Sequence, residues 1–171
     1  MYNRNLLQTA LVAVTTTILT LYVKDKLPMT CKVRYRSDDD KLEIEKTENG
    51  DWYDVKAAED ITLTKGERVD IPLGFSMKLP KGYEAHLLPR SSTCRKLNIW
   101  MENSQGIIDN SFCGDDDQWG FRAYAVEDTV IPKGARIAQF RIIKNSPKLK
   151  FVKVKTLSEV SRGAFGSTGQ M

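Results

Sequence analysis

Histidine is almost missing from this chain: His86 is the only one in 171 residues. That excludes any site built on two imidazoles, HExxH zinc hydrolases included. Cysteine is scarce and scattered. Cys31, Cys94 and Cys113 form no CxxC pair, so a zinc ribbon and a thioredoxin-type centre are excluded. Free thiols in a reducing, cytoplasmic compartment are the expectation. A strong charge of one sign is lacking too. The formal net charge is +4, and Arg4, Lys24 and Lys26 against Asp25 put +2 of it in residues 1–28. The remainder carries only +2, and no nucleic-acid footprint is visible. Helical periodicity is the last absence. After Met29 the longest candidate runs from Ser91 to Leu97, one or two turns at most.

What is present divides into an apolar preface and a body. Leu6 to Val23 is an uncharged run of 18 residues, at the lower edge for a membrane span. Gln8, Thr9, Thr15, Thr16, Thr17 and Thr20 dilute it, and no A-x-A site follows. A secretory signal and a membrane anchor are therefore both disfavoured. A start-site misassignment is preferred, then an extra helix or disordered arm, and residues 1–28 are set apart from the body.

In the body, Val69, Ile71, Leu73, Phe75, Met77 and Leu79 occupy alternate positions. A period of two predicts a strand with one buried face, and Pro72 within it predicts an edge or a bulge. Ile61 with Leu63, and Val33 with Tyr35, alternate in the same way. Lys65-Gly66, Pro80-Lys81-Gly82, Pro132-Lys133-Gly134 and Asn49-Gly50 read as turns between strands. The expectation is all-β, a sandwich or closed barrel of many short strands. Residues 161–171 are too rich in glycine for a strand, and on composition alone read as a tail or as a loop that embraces phosphate.

Chemistry is sought on loops held by such a scaffold. Arg90 beside Ser91 and Ser92 offers a guanidinium fork with two hydroxyls, suited to phosphate, or else a solvated surface turn. Asp109 follows two isoleucines at the end of a buried strand, where a carboxylate can serve as a general base or cap an Asx turn. Asp115-Asp116-Asp117 lacks the DxDxDG pattern and reads as a solvated acidic loop. His86, flanked by leucines, reads as structural.

Taken together and in order, these segments resemble the five motifs of the trimeric deoxyuridine triphosphatase (dUTPase) family. They are Asp54 to Asp60; Pro89-Arg90-Ser91-Ser92; Asn103 to Asp109; Gly134-Ala135-Arg136-Ile137-Ala138-Gln139; and Arg162 to Gly169. Single motifs are weak, but five in the right order over residues 31 to 169 are specific. The resemblance implies a distorted β-barrel or jelly roll over 29–160 with one short helix, and a glycine-rich lid over 161–171. It implies a homotrimer with active sites at subunit interfaces, and Mg²⁺-dependent hydrolysis of dUTP to dUMP and pyrophosphate. Asp109 would activate the water that attacks the α-phosphorus, and Asp54 would hold hydrated magnesium. Arg90, Ser91, Ser92 and Gln139 would grip the triphosphate. Asn103 and the backbone near Gly106 would read uracil. Phe165 would stack on its ring, while Arg162, Gly166, Ser167 and Thr168 close over the phosphates.

Two features depart from the family pattern. Phe112 stands where tyrosine is usual against the deoxyribose, so the ring is kept and the hydroxyl lost. The tail is two residues shorter between Gly163 and Phe165 than the commoner form. The rival with the same fold is dCTP deaminase, which Arg90-Ser91-Ser92-Thr93-Cys94-Arg95 resembles. Its glutamate has no counterpart between Trp119 and Val126, where Arg122 stands instead. A regulatory relative without catalysis would be marked by loss of the base, and Asp109 is present.

Overall fold

The computed structural model describes residues 13–14, 30–46, 48–158, 160–161 and 163. Of the N-terminal extension only Ala13 and Val14 are described, both helical. Among the described residues no helix is long and apolar enough to cross a membrane.

The alternating apolar positions become strands of two facing sheets. One sheet has the order β1 (Arg34–Ser37), β5 (Arg68–Lys78), β9 (Gln118–Ala125) and β7 (Ile99–Met101). The other runs β2 (Glu45–Lys46), β3 (Tyr53–Lys56), β11 (Arg136–Lys144), β6 (Tyr83–Pro89) and β8 (Gly106–Ile108). β4 (Ile61–Leu63) and β10 (Thr129–Ile131) pair on their own. Neighbouring strands are antiparallel throughout. The sheets stay open: the all-β expectation holds in its jelly-roll form, not as a closed barrel. Among the described residues of the body there is one short α-helix, α1 (Thr93–Leu97), inside the window expected for it.

Aromatic residues join the two layers. Trp119 of β9 lies 5.0 Å from Phe75 of β5 and 5.1 Å from Phe140 of β11, ring centre to ring centre. All three are buried, with Ile71, Leu73, Leu87 and Ile137 around them. Apolar burial of this kind supplies the main stabilisation of such a sandwich.

The punctuation reads as expected. Gly66, Gly82 and Gly134 all adopt positive φ, +90°, +83° and +84°, which side-chain-bearing residues resist. Pro72 lies in a central strand and is accommodated by a register shift between Pro72 and Ser76. Its free carbonyl accepts the Ala58 N–H at 2.8 Å. β1 pairs with β5 only from Phe75 to Lys78, so the side on which Pro72 lacks an N–H has no strand partner and the proline sits at a local edge beside the bulge.

Candidate active site

Three segments distant in sequence converge on the five-stranded sheet. Antiparallel register sets Gln139 of β11 opposite Asp54 of β3 and opposite Leu88 of β6. Arg90 follows the end of β6. Asp54, Arg90, Ser91, Ser92 and Gln139, with Trp52 beside them, line a cleft of about 170 Å³. Residues 51 and 52 form a bend that leads into the strand. Tyr53 and Asp54 belong to β3, and Asp54 is only 4% exposed.

A buried carboxylate needs partners, and Asp54 has two. Its Oδ1 forms an ion pair with Arg90 Nε at 3.0 Å, and its Oδ2 accepts a hydrogen bond from Arg136 Nη1 at 3.3 Å. Arg90 is therefore no solvated surface arginine. Its backbone is tethered as well: the Arg90 N–H donates to Thr93 Oγ1 at 3.1 Å. The Thr93 hydroxyl donates in turn to the Ile137 carbonyl at 2.8 Å. Ser92 caps α1 without a side-chain hydrogen bond, which leaves its hydroxyl available. Gln139 Nε2 donates to the Pro89 carbonyl at 3.4 Å. The Arg90 guanidinium and two serine hydroxyls line a cleft suited to a polyanion, with Arg136 offsetting the charge of Asp54 from beside it.

Asp109 lies elsewhere. β8 pairs with β6 so that Gly106 faces Leu87 and Ile108 faces Ala85, which puts Asp109 level with Glu84. Arg90 is six residues further along that strand direction, roughly 20 Å at the ordinary rise. A single subunit does not bring the two together. The Asp109 carboxylate forms an Asx turn: Oδ1 accepts the Ser111 hydroxyl at 2.6 Å and the Ser111 N–H at 2.7 Å. Those bonds, the hydroxyl first, hold its pKa below the ordinary carboxylate value. The Asx turn leaves the carboxylate exposed and ionised, so the cap and an ionised base are compatible. Asn110 braces the turn by donating Nδ2 to the Leu79 and Pro80 carbonyls at 3.1 and 2.7 Å.

Asn103 is exposed in the turn between β7 and β8, where Ser104 takes φ +61°. Gly106 is pressed against Leu87, whose Cβ would stand 3.2 Å from any added Cβ. Phe112 is 41% exposed, its ring free to meet a ligand. Arg162, Phe165, Gly166, Ser167 and Thr168 lie outside the described residues. His86 Nε2 meets Glu84 Oε1 at 2.8 Å, a structural contact. Among the described residues no group of three or more His, Cys, Asp or Glu is placed to hold a metal. Sequence reasoning missed Arg136 and Thr93 as supports of the cleft, the first bonded to Asp54 and the second to the Arg90 backbone. The signal was the place of Arg136 inside the motif that ends at Gln139, and of Thr93 directly after the Arg90-Ser91-Ser92 motif.

A family model for dUTPase matches residues 44–169. The chain is 48% identical over 141 residues to the SPbeta prophage-derived deoxyuridine 5'-triphosphate nucleotidohydrolase YosS of Bacillus subtilis (strain 168), covering 82% of this chain and 99% of that protein. The structure of the Staphylococcus bacteriophage 80alpha dUTPase with dUPNHPP superimposes with a TM-score of 0.63 at 25% identity, covering 82% of this chain and 99% of that one. A mutant dUTPase from phage phi11 of S. aureus, solved with a coordinated structural Mg(II) ion, gives 0.63 at 20% identity, covering 73% and 99%. At that identity the likeness speaks for the fold alone.

Proposed function

The chain belongs to the dUTPase family, and from that premise we propose that it hydrolyses dUTP to dUMP and pyrophosphate. The observation that carries this reading is the convergence of Asp54, Arg90 and Gln139, from three separate motifs, on one cleft. Arg90, Ser91, Ser92 and Gln139 grip the triphosphate there. Asp109 accepts a proton from the water that attacks the α-phosphorus, and the bond from that phosphorus to the bridging oxygen breaks to release pyrophosphate. Asn103 and the backbone at Gly106 read the uracil edge, while Phe112 packs on the deoxyribose. Residues 161–171, with Arg162, Phe165, Gly166, Ser167 and Thr168, close over the bound nucleotide. With a substrate of high negative charge, positioning and electrostatic complement supply most of the catalysis.

The donor set fits Mg²⁺ in one way. Asp54 is the single carboxylate lining the cleft, and both its oxygens already meet guanidinium groups. It can touch the hydration shell of the ion but is poorly free for direct ligation, which suits a cation that keeps its waters. When bound, the ion offsets phosphate charge.

The reading requires a homotrimer in which Asp109 of one subunit serves the Arg90 cleft of another. Two observations support assembly: the separation of Asp109 from Arg90, and an unpartnered arm. After Asn145 the chain runs without secondary structure through Leu149, Phe151, Val152, Val154 and Leu157, with Phe151 91% exposed. Apolar residues left in water across such a stretch call for a cover. A neighbouring subunit, whose groove of about 610 Å³ is lined by Val33, Tyr35, Ile44 and Phe140, supplies it. The chain is read as acting in the cytoplasm, without nucleic acid or membrane as partner.

Pyrophosphate release from dUTP by the purified chain with Mg²⁺ is the expected result. No release, or ammonia from dCTP instead, would overturn the assignment.

A further inference from the structure

We propose that Arg136 is a positioning residue that sets Arg90 for the triphosphate, acting through the carboxylate the two arginines share. The proposal rests on the reading of the Arg90 cleft as the phosphate grip.

Strand geometry alone would not put Arg136 there. Residues three apart on a regular strand, such as Arg136 and Gln139, point to opposite faces. β11 departs from regularity between Arg136 and Ala138: Arg136 pairs with Lys56, but Ala138 already pairs with Val55. The extra residue, Ile137, leaves two consecutive buried positions, Ile137 and Ala138. One β-bulge therefore turns Arg136 onto the face that carries Gln139 and Asp54, which is what bulges beside sites do. The same extra residue offers the carbonyl that anchors Thr93, and through Thr93 the Arg90 backbone.

Arg136 then fixes Asp54 rather than merely neutralising it. With Oδ2 held by Arg136, Oδ1 faces Arg90 Nε. That ion pair, 3.0 Å long, holds the Arg90 guanidinium beside the carboxylate. Its two terminal nitrogens make no hydrogen bond to any described residue, so they stay open to phosphate oxygens. Without Arg136 one oxygen of a buried carboxylate loses its partner, and the carboxylate is free to turn away from Arg90.

Steady-state kinetics on the full chain tests this. Arg136→Ala should raise KM for dUTP about tenfold, the size of one charge-assisted hydrogen bond, with a smaller change in kcat. Arg136→Lys, which keeps a cation beside Oδ2, should recover most of the loss. Inhibition by deoxyuridine, which has no phosphate, should not change. In an Arg90→Ala background, Arg136→Ala should add less than about twofold, because its effect runs through Arg90. Should Arg136→Ala fail to fold, Arg136→Gln enters the same cycle. Independent, multiplying effects of the two arginines, or an unchanged KM, overturn the proposal. A wild type that releases no pyrophosphate overturns the hydrolase reading instead, so the two failures are distinguishable.

Discussion

Ser111 sets the character of Asp109. Its hydroxyl and N–H both donate to Asp109 Oδ1, and the carboxylate pKa falls below its ordinary value of 3.8. For a depressed carboxylate the stabilising contribution is present above the ordinary value and is lost as pH falls through the lower folded one. Asp109 therefore stays ionised into mild acid, and the acid limb of kcat/KM is expected below the usual carboxylate range. Ser111→Ala should move that limb upward, read from a pH–rate profile; an unmoved limb would assign it to another group. Asp109→Asn should abolish turnover while nucleotide binding by calorimetry persists. Full turnover in that variant would mean that another residue accepts the proton.

Two strands carry defects, and both are used. In β5, Gly74 has φ +73°, and an added Cβ would stand 2.5 Å from Leu42 Cδ1 and 3.0 Å from Ala58 Cβ. Gly74→Ala combines backbone strain with a clash and should cost about 1–3 kcal/mol, measured by denaturant unfolding. In β11, the step at Ile137 brings Arg136 to Asp54 while leaving Phe140 in the core. Phe140 stacks at 5.4 Å on Tyr53 and meets Trp119, so Phe140→Ala should cost roughly 3–5 kcal/mol. A loss well under 1 kcal/mol would show that the two sheets are not joined there.

At the scale of the whole molecule, a site divided between subunits has a distinctive genetic consequence. Asp109→Asn supplies a sound Arg90 cleft, and Arg90→Ala supplies a sound Asp109. Unfolded together and reassembled, two inactive variants should regain dUTP hydrolysis; a mixture as dead as its parents would place the whole site within one chain. Deleting residues 162–171 should leave oligomeric mass and melting unchanged but sharply lower activity, since a lid contributes to closure rather than to the core. Loss of folding in that variant would make the tail structural.

By itself the sequence determined the strands, their turns and the chemical inventory. Alternation from Val69 to Leu79 and the Pro-Lys-Gly turns are local signals, set by side-chain direction and by φ. The motif segments, Arg90-Ser91-Ser92 and Asp109 among them, were legible for the same reason: they are contiguous. The tertiary structure decided what meets what. Sheet register brings Asp54, Leu88 and Gln139 side by side across three strands, a relation between residues up to 85 positions apart. A bulge of one residue turned Arg136 onto the face that carries Asp54 and Gln139, and no pattern of period two contains that information. Register also set Asp109 at the far end of β6 from Arg90, because hydrogen-bonded pairing between strands depends on neighbours that a linear reading cannot see.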